Sequence, residues 1–196
     1  RGLLGRYSNK LNIGDKWIFD IGSNKSVIDL FQEKNLSELI KSGVATPDHV
    51  IRTKAQPLLL GNYFDPEKNI DEKSKSFENW FKECEMSLEK YVNEYKKYFH
   101  KNNKLVKQTK IQLDPLPRLI LLPGVGLIGI GKDKKSAKIS ADIGLAWIET
   151  LLSAISIGTF KPVGEKDTFD LEYWSLEQAK LNKKSQLSLK GNIVVV

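Results

Sequence analysis

The densest chemistry-bearing stretch of the chain is Thr46-Pro47-Asp48-His49-Val50-Ile51-Arg52-Thr53-Lys54. It gathers a carboxylate, an imidazole, a guanidinium and an amine just ahead of Pro57. A cationic pair beside a histidine could bind a phosphate or a carboxylate. Asp48, His49, Arg52 and Lys54 are therefore the candidate substrate- or phosphate-binding residues. The same segment also suits a structural loop in which Asp48 caps local amides and Arg52 pairs with an acid. Read as a strand, Val50–Thr53 would put His49, Ile51 and Thr53 on one face and Val50, Arg52 and Lys54 on the other.

The second motif is Gly124-Val125-Gly126-Leu127-Ile128-Gly129, a GxGxxG spacing after an apolar run. In a dinucleotide site those glycines turn a strand tightly into a helix whose N-terminus meets the pyrophosphate. Here Pro123 precedes the first glycine, Leu127, Ile128 and Ile130 keep the segment apolar, and a helix starts only after Lys132–Lys135. The reading is a glycine-spaced strand. Metal binding needs convergent ligands, and the chain holds two histidines, His49 and His100, and one cysteine, Cys84. No zinc site and no catalytic residue are expected in this segment. There is no GxSxG nucleophile elbow either. In Asp170–Lys180 an aromatic pair sits beside two acids, which reads as a helix docked by Leu171, Trp174 and Leu176.

These motifs need elements to hold them. Trp17–Ile21 reads as a short strand, Ser26 as the cap of a helix over Val27–Phe31, and Asn35 as the cap of another stopped by Gly43. Prolines bound two further strands, Val50–Thr53 and the Leu58–Leu60 run. Aromatic and aliphatic residues from Phe77 to Phe99 recur at three- and four-residue steps, which predicts one amphipathic helix over 76–100. Leu105–Gln112 reads as extended. Leu119–Gly131 reads as two strands split by a proline, and Ser136–Ile157 as a helix closed by Gly158. Strands interleaved with helices, some on connections too short for crossovers, indicate an α/β domain with a mixed sheet.

Composition bounds the function. The 196 residues carry 31 basic and 24 acidic side chains, a net charge of +7. Only Arg1, Arg6, Arg52 and Arg118 are arginines, and the lysines alternate with glutamates as on a solvated face, so nucleic acid is not an expected partner. The lysine face of 76–100 leaves a basic interaction module as an alternative. No apolar run reaches the roughly 18 residues of a membrane span. A single cysteine favours a reducing compartment, hence the cytoplasm.

Three strings, GVATPDHVIRTK, LDPLPRLILLPGVGLIGIGKDKKSAKISADI and FDLEYWSLEQAKL, resemble bifunctional proteins that join a class II aldolase/adducin domain to a short-chain dehydrogenase. The nearest type is the rhamnulose-1-phosphate aldolase/alcohol dehydrogenase fusion. The closing SLKGNIVVV resembles the first strand of the dehydrogenase domain. The resemblance implies a three-layer α/β/α, class II aldolase-like domain over 1–183, with 1–42 as its entry segment. Residues 184–196 would then be a linker and the first strand of a truncated dehydrogenase. It implies zinc and NAD or NADP in the parent protein, and the neighbouring domains or a second copy as partners. It also sets Val125 where the family's strand carries a zinc-binding histidine. From that follows the expectation of a metal-free structural or assembly domain, with a sugar-phosphate or dinucleotide phosphate module on Arg52 and Lys54 as the alternative.

Overall fold

The computed structural model describes residues 1–61 and 70–176. In chain order the elements are α1 (Gly2–Lys10), β1 (Ile18–Gly22), α2 (Lys25–Gln32) and α3 (Leu36–Leu39). A 3-10 turn over Pro47–His49 then leads into α4 (Val50–Thr53) and β2 (Leu58–Leu59). They continue with α5 (Ile70–Asn103), β3 (Leu119–Leu122), β4 (Gly126–Gly131), α6 (Lys134–Ile157) and α7 (Glu165–Glu172). The four strands form one mixed sheet in the order β1-β4-β3-β2. β4 is antiparallel to β1 and to β3, and β2 is parallel to β3.

The period of two along β3 and β4 sorts side chains between two cores. Ile120, Ile128 and Ile130 join Trp17, Leu4 of α1 and Cys84, Leu88 and Val92 of α5. Leu119, Leu121 and Leu127 join Val27 and Leu30 of α2 and Trp147, Ile148 and Leu151 of α6. A third cluster ties the end of α5 to α7 through Phe99, Phe169 and Tyr173. The Phe169 and Tyr173 rings stack 4.6 Å apart, and Tyr173 lies 5.1 Å from Phe99.

Every glycine of the GxGxxG spacing has a turn or packing role. Gly124 (φ +84°) follows Pro123 in a four-residue turn closed by Val125 N–H donating to the Leu122 carbonyl, 3.0 Å. Proline then a positive-φ glycine at the two central positions is the type II pattern. At Gly126 a Cβ would meet the Gly22 carbonyl oxygen at 2.7 Å. At Gly129 it would meet the backbone of Ala137 and Ala141, and at Gly131 the backbone of Ser136 and Ala137. On α6, Gly144 receives Leu127 Cδ2, 2.6 Å from where its Cβ would stand. Gly129, Gly131 and Gly144 therefore admit a helix against the sheet, where a pyrophosphate loop would leave space for a ligand. By length and apolar content α6 could cross a membrane, but its small-residue face lies on β4.

Several expectations are corrected. Val50–Thr53 is a helical turn, not a strand: Pro47 stands at the first turn of a 3-10 segment that runs straight into α4, where its fixed φ suits a helix start. Leu105–Gln112 holds no strand. Asn24, not Ser26, caps α2, accepting from Val27 N–H at 3.0 Å. The α6 cap is Asp133, reciprocated by Ser136. The long helix is wider than 76–100, and α1 within the entry segment was not foreseen. α7 begins earlier than expected and docks through Phe169 and Tyr173, while Trp174 and Leu176 are exposed. Residues 184–196, the expected dehydrogenase strand, lie outside the described residues.

The packing account is directly checkable. Gly129→Ala or Gly131→Ala drives a methyl group into the α6 backbone, and overpacking of this kind costs roughly 1–3 kcal/mol or more. Gly5 in α1 has open space around it, so Gly5→Ala should raise stability by about 0.5–1 kcal/mol. Urea denaturation of the three variants measures both directions.

Candidate functional site

The four candidate residues do not form one surface. Asp48 is exposed, His49 and Arg52 are half-buried, and Lys54 is 5% exposed. His49 Nδ1 is buried without a hydrogen-bond partner. The residue borders a space of about 10 Å³, room for one water, lined also by Thr53, Leu119 and Trp147. A bound water there would satisfy the ring nitrogen. The Arg52 carbonyl accepts from Ser140 Oγ of α6 at 3.3 Å. Turning the segment into helix breaks the shared strand face that would have set Arg52 beside Lys54.

Lys54 ends α4 with φ +64° and ψ 171°. This backbone region is nearly reserved for glycine, and a side-chain-bearing residue there costs about 1–3 kcal/mol. The strained turn sends its amine into a buried polar cluster. Lys54 Nζ donates to Tyr95 Oη of α5 at 2.9 Å and lies 3.4 Å from Glu172 Oε1 of α7. Tyr95 Oη donates to the same Glu172 oxygen at 2.7 Å and is 2.8 Å from Tyr173 Oη. Leu113 N–H donates to Tyr173 Oη at 3.3 Å. Glu172 is fully buried, and its Oε2 has no partner. The Tyr98 hydroxyl is likewise buried and stands within reach of the Glu172 carboxylate.

Burial sets the electrostatics. It pushes the Lys54 amine below the ordinary lysine value, against the pull of the Glu172 carboxylate. Burial first, and Glu172 second, push Tyr95 and Tyr98 well above the usual phenol range. Tyr173 moves the same way for the same reasons. Burial also raises Tyr91, whose hydroxyl donates to the Gln56 carbonyl at 2.9 Å. Beside the cluster, burial would raise Asp114, but the paired Arg118 guanidinium, with Lys54 and Lys132, holds that carboxyl low.

A cleft of about 470 Å³ opens onto this cluster. Its walls are the turn after α3, the segment after α4, one face of α5 and the start of α7, and they include Ser42, Lys54, Gln56, Tyr95, Tyr98 and Thr168. That volume is ordinary for a small-molecule site. Val125 is far simpler: it sits 46% exposed at the tip of the β3–β4 turn. Among the described residues no three His, Cys, Asp or Glu side chains converge as metal ligands. Cys84 lies in the apolar core, where burial pushes its thiol up to about 11. Sequence reasoning missed Glu172 and Tyr95. The usable signal was Phe169 and Tyr173, one helical turn apart, which orient α7 and carry Glu172 inward.

Comparison with known proteins gives a consistent result. The family described as "Aldolase class II, second domain" matches residues 1–181. The protein named "Uncharacterized oxidoreductase YuxG" from Bacillus subtilis (strain 168) is 28% identical over 166 residues, a match covering 85% of this chain and 22% of that protein. The chain thus spans less than a quarter of that relative's length. No solved structure matches the chain.

Two measurements probe the cluster. Lys54→Met leaves Glu172 uncompensated and should cost about 3–5 kcal/mol, while the double variant Lys54→Met/Glu172→Met should lose less than the single one. Denaturant melts of both would show it. The second is alkaline titration. Tyr91, Tyr95, Tyr98 and Tyr173 hold their protons in the folded state beyond the unfolded value of about 10. The folded chain then binds more protons than the unfolded one, so stability falls as pH rises past that value. Lys54 opposes this, since a lowered amine pKa makes stability rise with pH up to its unfolded value, but it is one group against these tyrosines. Phenolate absorbance should therefore appear for the buried tyrosines in one cooperative step that coincides with loss of circular dichroism.

Proposed function

The chain belongs to the family of class II aldolase second domains, and on that premise we propose that it is one domain of a longer cytoplasmic sugar-phosphate aldolase joined to a short-chain dehydrogenase. Within that parent, of the rhamnulose-1-phosphate aldolase/alcohol dehydrogenase type, it acts as a metal-free structural or assembly domain. The observation carrying this reading is the match of nearly the whole chain to a second aldolase domain. A relative named as an oxidoreductase, of which the chain covers only 22%, supports a dehydrogenase elsewhere in the parent. Strand residues that alternate between an α5-side core and an α6-side core support a three-layer α/β/α arrangement.

Zinc is the metal that the family resemblance brings with it, and the donor chemistry here does not suit it. The strand position that would supply an imidazole is Val125, which has no lone pair to give. His49 is the nearest candidate by type, but the space it borders is water-sized and, among the described residues, lined by no other imidazole, thiol or carboxylate. A single imidazole is not a zinc site. The nicotinamide cofactor has no glycine loop at the GxGxxG spacing, because Gly126 packs on Gly22 of β1 and Gly129 is covered by α6. Both groups belong, in this reading, to the neighbouring domains.

Zinc titration by calorimetry tests the metal-free part. The expected result is no stoichiometric heat and no change in thermal midpoint, for the native protein and for His49→Ala alike. One-to-one uptake that His49→Ala abolishes would overturn it. For the assembly role, the chain should co-elute with the remainder of its parent supplied as a separate polypeptide, and independent elution argues against it.

A further inference from the structure

We propose that Lys54 is a reactive amine which condenses with small hydroxy-aldehydes or hydroxy-ketones entering the cleft between α4, α5 and α7. This goes beyond the assembly role and does not depend on it. Three observations carry it. The amine-bearing residue lines a cleft of about 470 Å³ whose walls also offer Ser42, Gln56 and Thr168, groups that suit a hydroxylated guest. Its backbone is held at φ +64°, a strained geometry of the sort that persists where surroundings over-determine it and that clusters at active sites. Finally, proton carriers stand where an imine-forming lysine needs them, Tyr95 Oη at 2.9 Å and Glu172 Oε1 at 3.4 Å.

The chemistry balances without any oxidant or reductant. A proton passes from Lys54 Nζ to Glu172, which leaves a neutral amine and a neutral acid, the form a desolvated pair tolerates. The Nζ lone pair attacks the carbonyl carbon, the new N–C bond forms, and the C=O π pair moves to oxygen. That oxygen takes the second proton lost by nitrogen, relayed by the Tyr95 hydroxyl. Glu172 then returns its proton to the hydroxyl, the C–O bond breaks, and water leaves. The nitrogen lone pair closes the C=N bond, giving a protonated imine beside the Glu172 carboxylate. One amine and one carbonyl yield one imine and one water.

Reductive trapping tests this on the protein as it stands. Glycolaldehyde and dihydroxyacetone are supplied with cyanoborohydride at neutral pH, and peptide mass mapping follows each lysine. Lys54 should be modified about tenfold faster than the exposed Lys97 and Lys135, as expected of an amine activated by desolvation. Tyr95→Phe keeps the ring, removes the relay, and should slow the modification of Lys54 while leaving Lys97 and Lys135 unchanged. Modification of Lys54 at or below the rate of the exposed lysines would overturn the proposal. An unchanged Lys54 rate in Tyr95→Phe would overturn the role given to Tyr95.

Discussion

The close approach of α6 to β4 is the constraint on which the remaining geometry rests. Gly129 and Gly131 leave no side chain between strand and helix, and Gly144 returns the favour from the helix by admitting Leu127 and Leu119. At that separation Ser140 can reach two carbonyls at once, Ile130 of β4 and Arg52 of α4, each at 3.3 Å. One hydroxyl thus links the sheet to the short helix that carries Lys54. Move α6 outward by the width of a methyl group and Ser140 would lose this bridge, leaving Lys54 to tie the end of α4 to α5 and α7.

The polar cluster is the second consequence. α4, α5 and α7 each bring one member, Lys54, Tyr95 and Glu172, and the aromatic contacts of Phe99, Phe169 and Tyr173 hold α7 against α5. Removing two charges from water costs several kcal/mol per ion, and mutual attraction offsets it only with good geometry and further hydrogen bonds. Here Tyr95 serves both partners, accepting from the amine and donating to the carboxylate. The Tyr98 hydroxyl, buried beside the same carboxylate, adds to this compensation without meeting it in ideal geometry.

How much of this the sequence disclosed depends on range. The 3.6-residue period of α5 and α6, the apolar runs of β3 and β4, and the glycine-spaced strand were legible because each is a local pattern that burial only reinforces. The segment Val50–Thr53 was misread because β-branched Val50, Ile51 and Thr53 favour strand weakly, whereas Pro47 and the packing of Val50 and Ile51 decide for helix. Lys54 stands out in the sequence as one of four candidate residues, but its partners lie 41 and 118 positions away. No spacing rule connects Lys54 to Glu172. Only the fold does, through the turn that puts Phe169 and Tyr173 into the core. Val125 is a case between the two: Pro123-Gly124 announces a turn, and a turn tip is where the structure puts it.

A domain that served assembly alone could hold its helices together more cheaply. The two apolar clusters already fix both faces of the sheet, and the Phe99–Phe169–Tyr173 cluster already fixes α7. Replacing a buried ion pair by apolar residues of similar volume is commonly neutral or stabilising. A leucine-like side chain at positions 54 and 172 would also remove the cost of burying two ionisable groups. In its place the chain keeps a lysine on a strained backbone, a fully buried glutamate and a tyrosine between them, at the edge of a cleft large enough for a small molecule. Packing explains the glycines of β4 completely. It does not explain this cluster, and the difference separates the part of the molecule that builds the scaffold from the part whose chemistry is still able to act.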